Sequence, residues 1–160
     1  MAYNGETFVT FLNGQLYLEN EGVFGNFFGE NKDMIVDVVS NIEQEKEKIY
    51  SALGLTTNHN KTSLPDSWYV DSIIIPPTAV NPNGQLSEIA SSRFRMKEEA
   101  LYADIPRDTN SPMSGSTAFK LINGRVMRGQ CATFRLKNNS SDAVILYSVI
   151  IKTIPSEMSK

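Results

Sequence analysis

Residues 123–155 read NGRVMRGQCATFRLKNNSSDAVILYSVIIKTIP. Asn123-Gly124 opens the run with a hairpin-type turn, and Lys137–Asp142 (KNNSSD) supplies a second. RVMRGQCATFRL between them reads as one long strand, or as two short ones broken at Gly129. Cys131, Thr133 or Phe134, and Leu136 are its core or near-core positions. AVILYSVIIKTI is almost continuously apolar, which predicts a final strand buried on both faces. TAFKLI, residues 117–122, leads in as another strand. This well-patterned segment carries no acid–base pair.

The N-terminal stretch ETFVTFLNGQLYLEN places Phe8, Val9, Phe11 and Leu12 before Asn13-Gly14, with Leu16 and Leu18 alternating after it. Asn-Gly accepts positive φ at both turn centres, so a two-residue hairpin is predicted. GVFGNFFGEN follows, with three glycines and three phenylalanines in ten residues. So much aromatic surface on a flexible stretch packs on its own domain or inserts into a neighbour. Phe8, Phe11, Phe24, Phe27 and Phe28 are the candidate docking anchors.

Residues 31–53, NKDMIVDVVSNIEQEKEKIYSAL, are read as an amphipathic helix, capped by Asn31 and stopped by Gly54. Ile35, Ile42 and Ile49 recur every seven residues with Val38 at a d-like position, so Ile35, Val38, Ile42 and Ile49 are the candidate oligomerisation residues. Glu45 at the next d-like position fits an ordinary amphipathic helix packed on its own domain equally well. LTTNHNKTSLPDS, residues 55–67, reads as a loop or linker. WYVDSIIIPP is a strand ended by Pro76-Pro77, and Asn83-Gly84 is a further turn. Residues 86–104 fit helix or strand.

Chemistry is sparse. His59 is the only histidine and sits in a polar loop; Cys131 is the only cysteine, so an internal disulfide is impossible. No nucleophile elbow, phosphate loop or dinucleotide fingerprint occurs. Asp66, Asp71, Asp104 and Asp108 lie in or beside loops at spacings that match no calcium loop. No catalytic, cofactor-binding or metal residue is assigned, and none is expected. The net charge of −3 argues against a broad nucleic-acid footprint. Arg93, Arg95 and Lys97, with Glu98 and Glu99 beside them, and Arg125 with Arg128, read as solvated faces. No apolar run reaches the length of a membrane span, and MAYNGETFVTF lacks a signal-peptide pattern.

VMRGQCATFRLKNNSSDAVILYSVIIKTI resembles the strand–turn–strand core of immunoglobulin-like or jelly-roll β-sandwich modules. The layout of N-terminal hairpin, Gly/Phe stretch, heptad-like helix and C-terminal β region resembles small tailed-bacteriophage virion proteins of the head-fibre, decoration or head–tail and tail adaptor types. These resemblances imply a mainly β chain with one N-terminal helix: an antiparallel β-sandwich at 66–155 carrying a hairpin–helix extension at 1–56. They imply a non-enzymatic virion component, made in the host cytoplasm. It would dock through its N-terminal segment onto capsid, portal or tail subunits and associate with itself, without nucleic acid or membrane. The alternative is a binding module for a carbohydrate or peptide, with Trp68, Tyr69 and Tyr102 as an aromatic platform.

Overall fold

The computed structural model of the chain describes residues 2–4, 7–19, 25–43, 45–58 and 68–156, with the backbone alone described at 2–4, 7, 8 and 19. Phe24, His59 and Asp66 lie outside the described residues. Strands β1 (Ala2–Asn4), β2 (Thr7–Leu12) and β3 (Gln15–Glu19) form an antiparallel meander. Asn13 and Gly14 join β2 to β3 with φ of 51° and 82°, the double left-handed conformation that a two-residue hairpin requires. A small hairpin comes next, β4 (Asn26–Phe27) with β5 (Glu30–Asn31).

The helix expected over 31–53 does not exist. Its residues form β6 (Met34–Ser40), a turn, and the first part of β7 (Lys48–Thr57). Four β-branched residues, Ile35, Val36, Val38 and Val39, stand in β6 and favour a pleated backbone. Their burial has period two: Val36, Val38 and Ser40 turn inward while Ile35, Asp37 and Val39 face out. The charged run that suggested a solvated helix face is the turn itself. Glu43 takes a φ of 50° there, and the buried Lys48 ammonium donates to the carbonyls of Ile42 and Glu43. Gly54 is no helix stop, since it lies in the middle of β7.

Two larger antiparallel sheets hold the rest. In one, β13 (Ala132–Asn138) runs between β6 and β8 (Trp68–Ile75), and β9 (Gln85–Ile89) completes the order β6-β13-β8-β9. In the other, β7 is central. Along one side it pairs with β14 (Leu146–Pro155); along the other it pairs with β11 (Ala100–Asp104) and then β12 (Arg128–Gly129), and β10 (Arg95–Lys97) adds to β11. Residues 86–104, ambiguous in sequence, are therefore mostly strand, interrupted by a 3-10 turn at Ser91–Arg93. The chain is mainly β and antiparallel.

One buried cluster draws on both large sheets. Leu53, Leu55 and Leu101 enter from the β7 sheet; Val70, Ile73, Phe134 and Leu136 enter from the β13 sheet. Tyr50 and Phe134 meet edge to face across it, ring centroids 5.9 Å apart. Leu136 is in the core as expected, the choice left open between Thr133 and Phe134 falls to Phe134, and Cys131 is only half-buried.

Two further expectations are corrected. TAFKLI is not a strand: Thr117–Asn123 is a helix, α1, and Gly124 caps its end instead of turning a hairpin. Ser116 supplies the start signal, its Oγ accepting from the Phe119 N–H at 3.3 Å. Among the described residues the one α-helix thus lies near the C-terminus, not in the N-terminal segment. β14 is not buried on both faces. It is an edge strand whose Leu146, Val149 and Ile151 are half-buried while Tyr147, Ile150 and Ile154 are exposed. A continuous apolar run records burial on neither face uniquely, and here half of it covers the core rim.

Candidate interaction surface

The N-terminal meander carries an unusual distribution of apolar side chains. Residues paired across a ladder share a face, and the β2–β3 register pairs Val9 with Leu18 and Phe11 with Leu16. All four apolar side chains thus lie on one face. Phe11 is 67% exposed, Leu16 72% and Leu18 57%. The opposite face carries Thr10 and Tyr17, and it is partly covered: the Tyr17 and Phe28 rings meet edge to face at 5.3 Å.

This sorts the predicted anchors. Phe11 lies on the open apolar face. Phe28 is turned to Tyr17 on the other side, and Phe27 is exposed in the neighbouring hairpin. The Phe8 backbone pairs with Glu19, one register position away from the apolar set. Sequence reasoning does not single out Val9, Leu16 and Leu18 as face partners of Phe11. The signal is nonetheless present, because an Asn13-Gly14 two-residue turn dictates the pairings of Leu12 with Gln15 and Phe11 with Leu16.

The residues expected to drive self-association share no helical face. Ile35 projects outward from edge strand β6, Val38 is half-buried against the core, Ile42 stands exposed in the turn, and Ile49 is half-buried in β7. The aromatic platform is not assembled either. Trp68 is 2% exposed and belongs to the core, Tyr69 lies on the outer face of the β13 sheet, and Tyr102 is on the other sheet.

On the outer face of the β13 sheet, charges are matched. Arg135 binds Asp37 through two 2.8 Å contacts, Lys137 donates to Asp71 at 2.9 Å, and the Tyr69 hydroxyl donates to Asp33 at 3.3 Å. The hydrogen bond from Arg135 holds the Asp37 carboxyl below the usual carboxylate range, and the bond to Asp71 raises the Lys137 ammonium. Asp108, a cation candidate in sequence, is buried and structural: its Oδ1 accepts from the amides of Leu86 at 3.0 Å and Asn110 at 2.8 Å. Among the described residues no group of three or more His, Cys, Asp or Glu could hold a metal ion.

With this geometry in place, comparison with known families is decisive. The family model for the Crassvirus muzzle protein C-terminal domain matches residues 22–108, more than half of the chain. The chain belongs to the Crassvirus muzzle protein C-terminal domain family. None of the curated proteins matches it. Membership of the muzzle family makes the chain a bacteriophage virion structural protein. The muzzle match runs from just before β4 to just past β11, so the meander β1–β3 precedes it and strands β12–β14 lie beyond it. The muzzle-family residues are nevertheless inseparable from the C-terminal strands, since β13 and β14 are the main ladder partners of β6, β8 and β7.

Proposed function

We propose that this muzzle-family chain is a docking module of the virion, attached to neighbouring capsid, portal or tail subunits through the apolar face of its N-terminal meander. The observation that carries the reading is the pairing of Val9 with Leu18 and Phe11 with Leu16 on a face that no other described element covers. Three strands with a hydrophobic face are the minimum for an independently stable sheet, so the meander can hold its shape while presenting this face to a partner. Fully burying such side chains contributes about 1.5–3 kcal/mol each. Burial of the exposed Phe11, Leu16 and Leu18 offsets much of an association cost of roughly 4–15 kcal/mol. Affinity then depends on several copies acting together, which a virion supplies.

Self-association is part of the reading, moved from a helix seam to the edge of β6, where Ile35 and Val39 project outward beside a ladder edge that no described strand pairs. The two large sheets, sharing one buried cluster, are read as the layers of a sandwich.

The test replaces Phe11 and Leu16 together by glutamate in the full chain during particle assembly. The variant is expected to fold, with unchanged circular dichroism and urea midpoint, and to be missing from particles. Incorporation at the wild-type level would refute the assignment of this face.

A further inference from the structure

The outer faces of the two large sheets differ in electrostatics. On the β13 sheet Arg135 and Lys137 are both ion-paired, to Asp37 and Asp71. On the β7 sheet Arg95, Lys97 and Lys152, together with Arg93 from the 3-10 turn before β10, form no salt bridge with any described residue. These four cations line a single open trough of about 400 Å³. Its carboxylates are Glu98 and Asp104, so four positive charges against two negative leave +2 in one cleft of a chain whose net charge is −3.

The register explains why a trough exists. Arg95, Tyr102, Gly54 and Ile150 form one row across β10, β11, β7 and β14, and Asp104, Ala52 and Lys152 form the next. The central strand therefore contributes only Gly54 and Ala52 to this part of the face. A Cβ at Gly54 would sit 2.8 Å from Cε1 of Tyr102, so the glycine lets the tyrosine ring lie down against the sheet as a floor. The Lys152 ammonium sits 5.5 Å from the centre of that ring. At the rim, Glu98 and Glu99 close the β10–β11 hairpin with φ of 51° and 65°, a conformation that costs about 1–2 kcal/mol per non-glycine residue.

The lining supplies donors for an anion, acceptors for hydroxyl groups and an aromatic surface. An acidic peptide or a polyphosphate would use the arginines and lysines but would be repelled by Asp104 and Glu98. A sugar acid uses all three: its carboxylate takes the guanidinium groups, its hydroxyls donate to the carboxylates, and its C–H face rests on Tyr102.

We propose that this trough is a binding site for carboxylate-bearing saccharides, a function separate from docking through the meander. Arg95 and Lys152 hold the sugar carboxylate, Asp104 accepts from its hydroxyls, and Tyr102 supports the ring.

The test is calorimetric titration of the full chain with galacturonate and sialate oligosaccharides, alongside neutral dextran oligosaccharides and an oligoglutamate peptide. Saturable binding of an acidic oligosaccharide is expected, with no heat from the neutral one. The double substitution Arg95→Gln and Lys152→Gln weakens it by at least about tenfold in a chain of unchanged circular dichroism. Asp104→Ala separates the sources of binding. A site that reads hydroxyls loses affinity, whereas plain attraction between charges gains it on removal of a carboxylate. Tighter binding in Asp104→Ala, or oligoglutamate binding as well as the sugar acids, would overturn the proposal in favour of an acidic-peptide surface. Absence of heat with both acidic oligosaccharides at millimolar concentration would overturn it outright.

Discussion

Arg135 and Asp37 stand directly opposite each other in the β13–β6 ladder, and both guanidinium contacts, Nε to Oδ1 and Nη2 to Oδ2, measure 2.8 Å. The bidentate fork couples an edge strand to its neighbour on the solvent face. Asp37 has its folded carboxyl below the ordinary value of 3.8, chiefly through the hydrogen bond from Arg135. A depressed folded pKa contributes stability that is present above the unfolded value and lost as pH falls through the folded one. The urea midpoint should therefore drop as pH is lowered from about 4, and less steeply in Asp37→Asn. The pair is solvent-exposed, so the difference between the two profiles should be small and should shrink further in high salt. Parallel urea titrations from about pH 7 to about pH 2 check this.

The Glu98–Glu99 hairpin predicts a stabilising substitution. Glu99 has a φ of 65°, which glycine adopts without steric cost. Relief of left-handed strain, less the entropy that glycine loses on folding, gives Glu99→Gly a gain of roughly 0.5–1 kcal/mol. Differential scanning calorimetry should show a melting temperature higher by about 1–4 °C. A lower one would mean that the glutamate side chain makes a contact that outweighs the strain.

Two phenylalanines should behave in opposite ways. Phe134 is fully buried and meets Tyr50 between the sheets, so Phe134→Ala should cost about 3–5 kcal/mol. Phe11 is exposed, so Phe11→Ser should change the stability of the isolated chain by no more than about 0.5 kcal/mol. Chemical denaturation of both variants measures the contrast. A large loss in Phe11→Ser would show that the apolar face is covered within the chain and is not free for docking.

Asp108 predicts the cost of a lost buried acceptor. Its Oδ1 satisfies the amides of both Leu86 and Asn110, and the residue is sealed from solvent. Asp108→Ala leaves those donors short of a partner and should destabilise by about 2–4 kcal/mol. Hydrogen exchange should localise the damage, with faster exchange at the Leu86 and Asn110 amides than in the wild type. Uniform protection at both would contradict the assignment.

Gly54 links the fold to the proposed saccharide site. A valine there would drive its Cβ into the Tyr102 ring, and displacing the ring should cost about 1–3 kcal/mol. The trough loses its floor at the same time, so calorimetry should show weaker binding of an acidic oligosaccharide even where urea denaturation shows the chain folded.

Much of the local structure is legible in the residues. The Asn13-Gly14 turn, the strand at Trp68–Ile75 and the inward positions of Phe134 and Leu136 come from turn chemistry and alternation, which act over a few residues. Region 31–53 defeats such reasoning because Ile35, Val38, Ile42 and Ile49 fit a helical stripe while the same β-branched residues fit a strand. Pairing with β13 decides between them. TAFKLI fails in the other direction, since the Ser116 cap outweighs the strand propensity of its short apolar run.

By itself, then, the sequence determined that this muzzle-family chain is mainly β, where β2 turns into β3, and that its N-terminal segment is rich in apolar side chains. Each of these is settled by backbone sterics or residue alternation within a few positions. Tertiary structure alone decided that β6 and β7 are strands, that β14 is an edge, and that Arg93, Arg95, Lys97 and Lys152 converge on one trough. Those outcomes rest on ladders joining residues as far apart as Ala52 and Lys152, and register across such distances is set only when the sheets close around a common core.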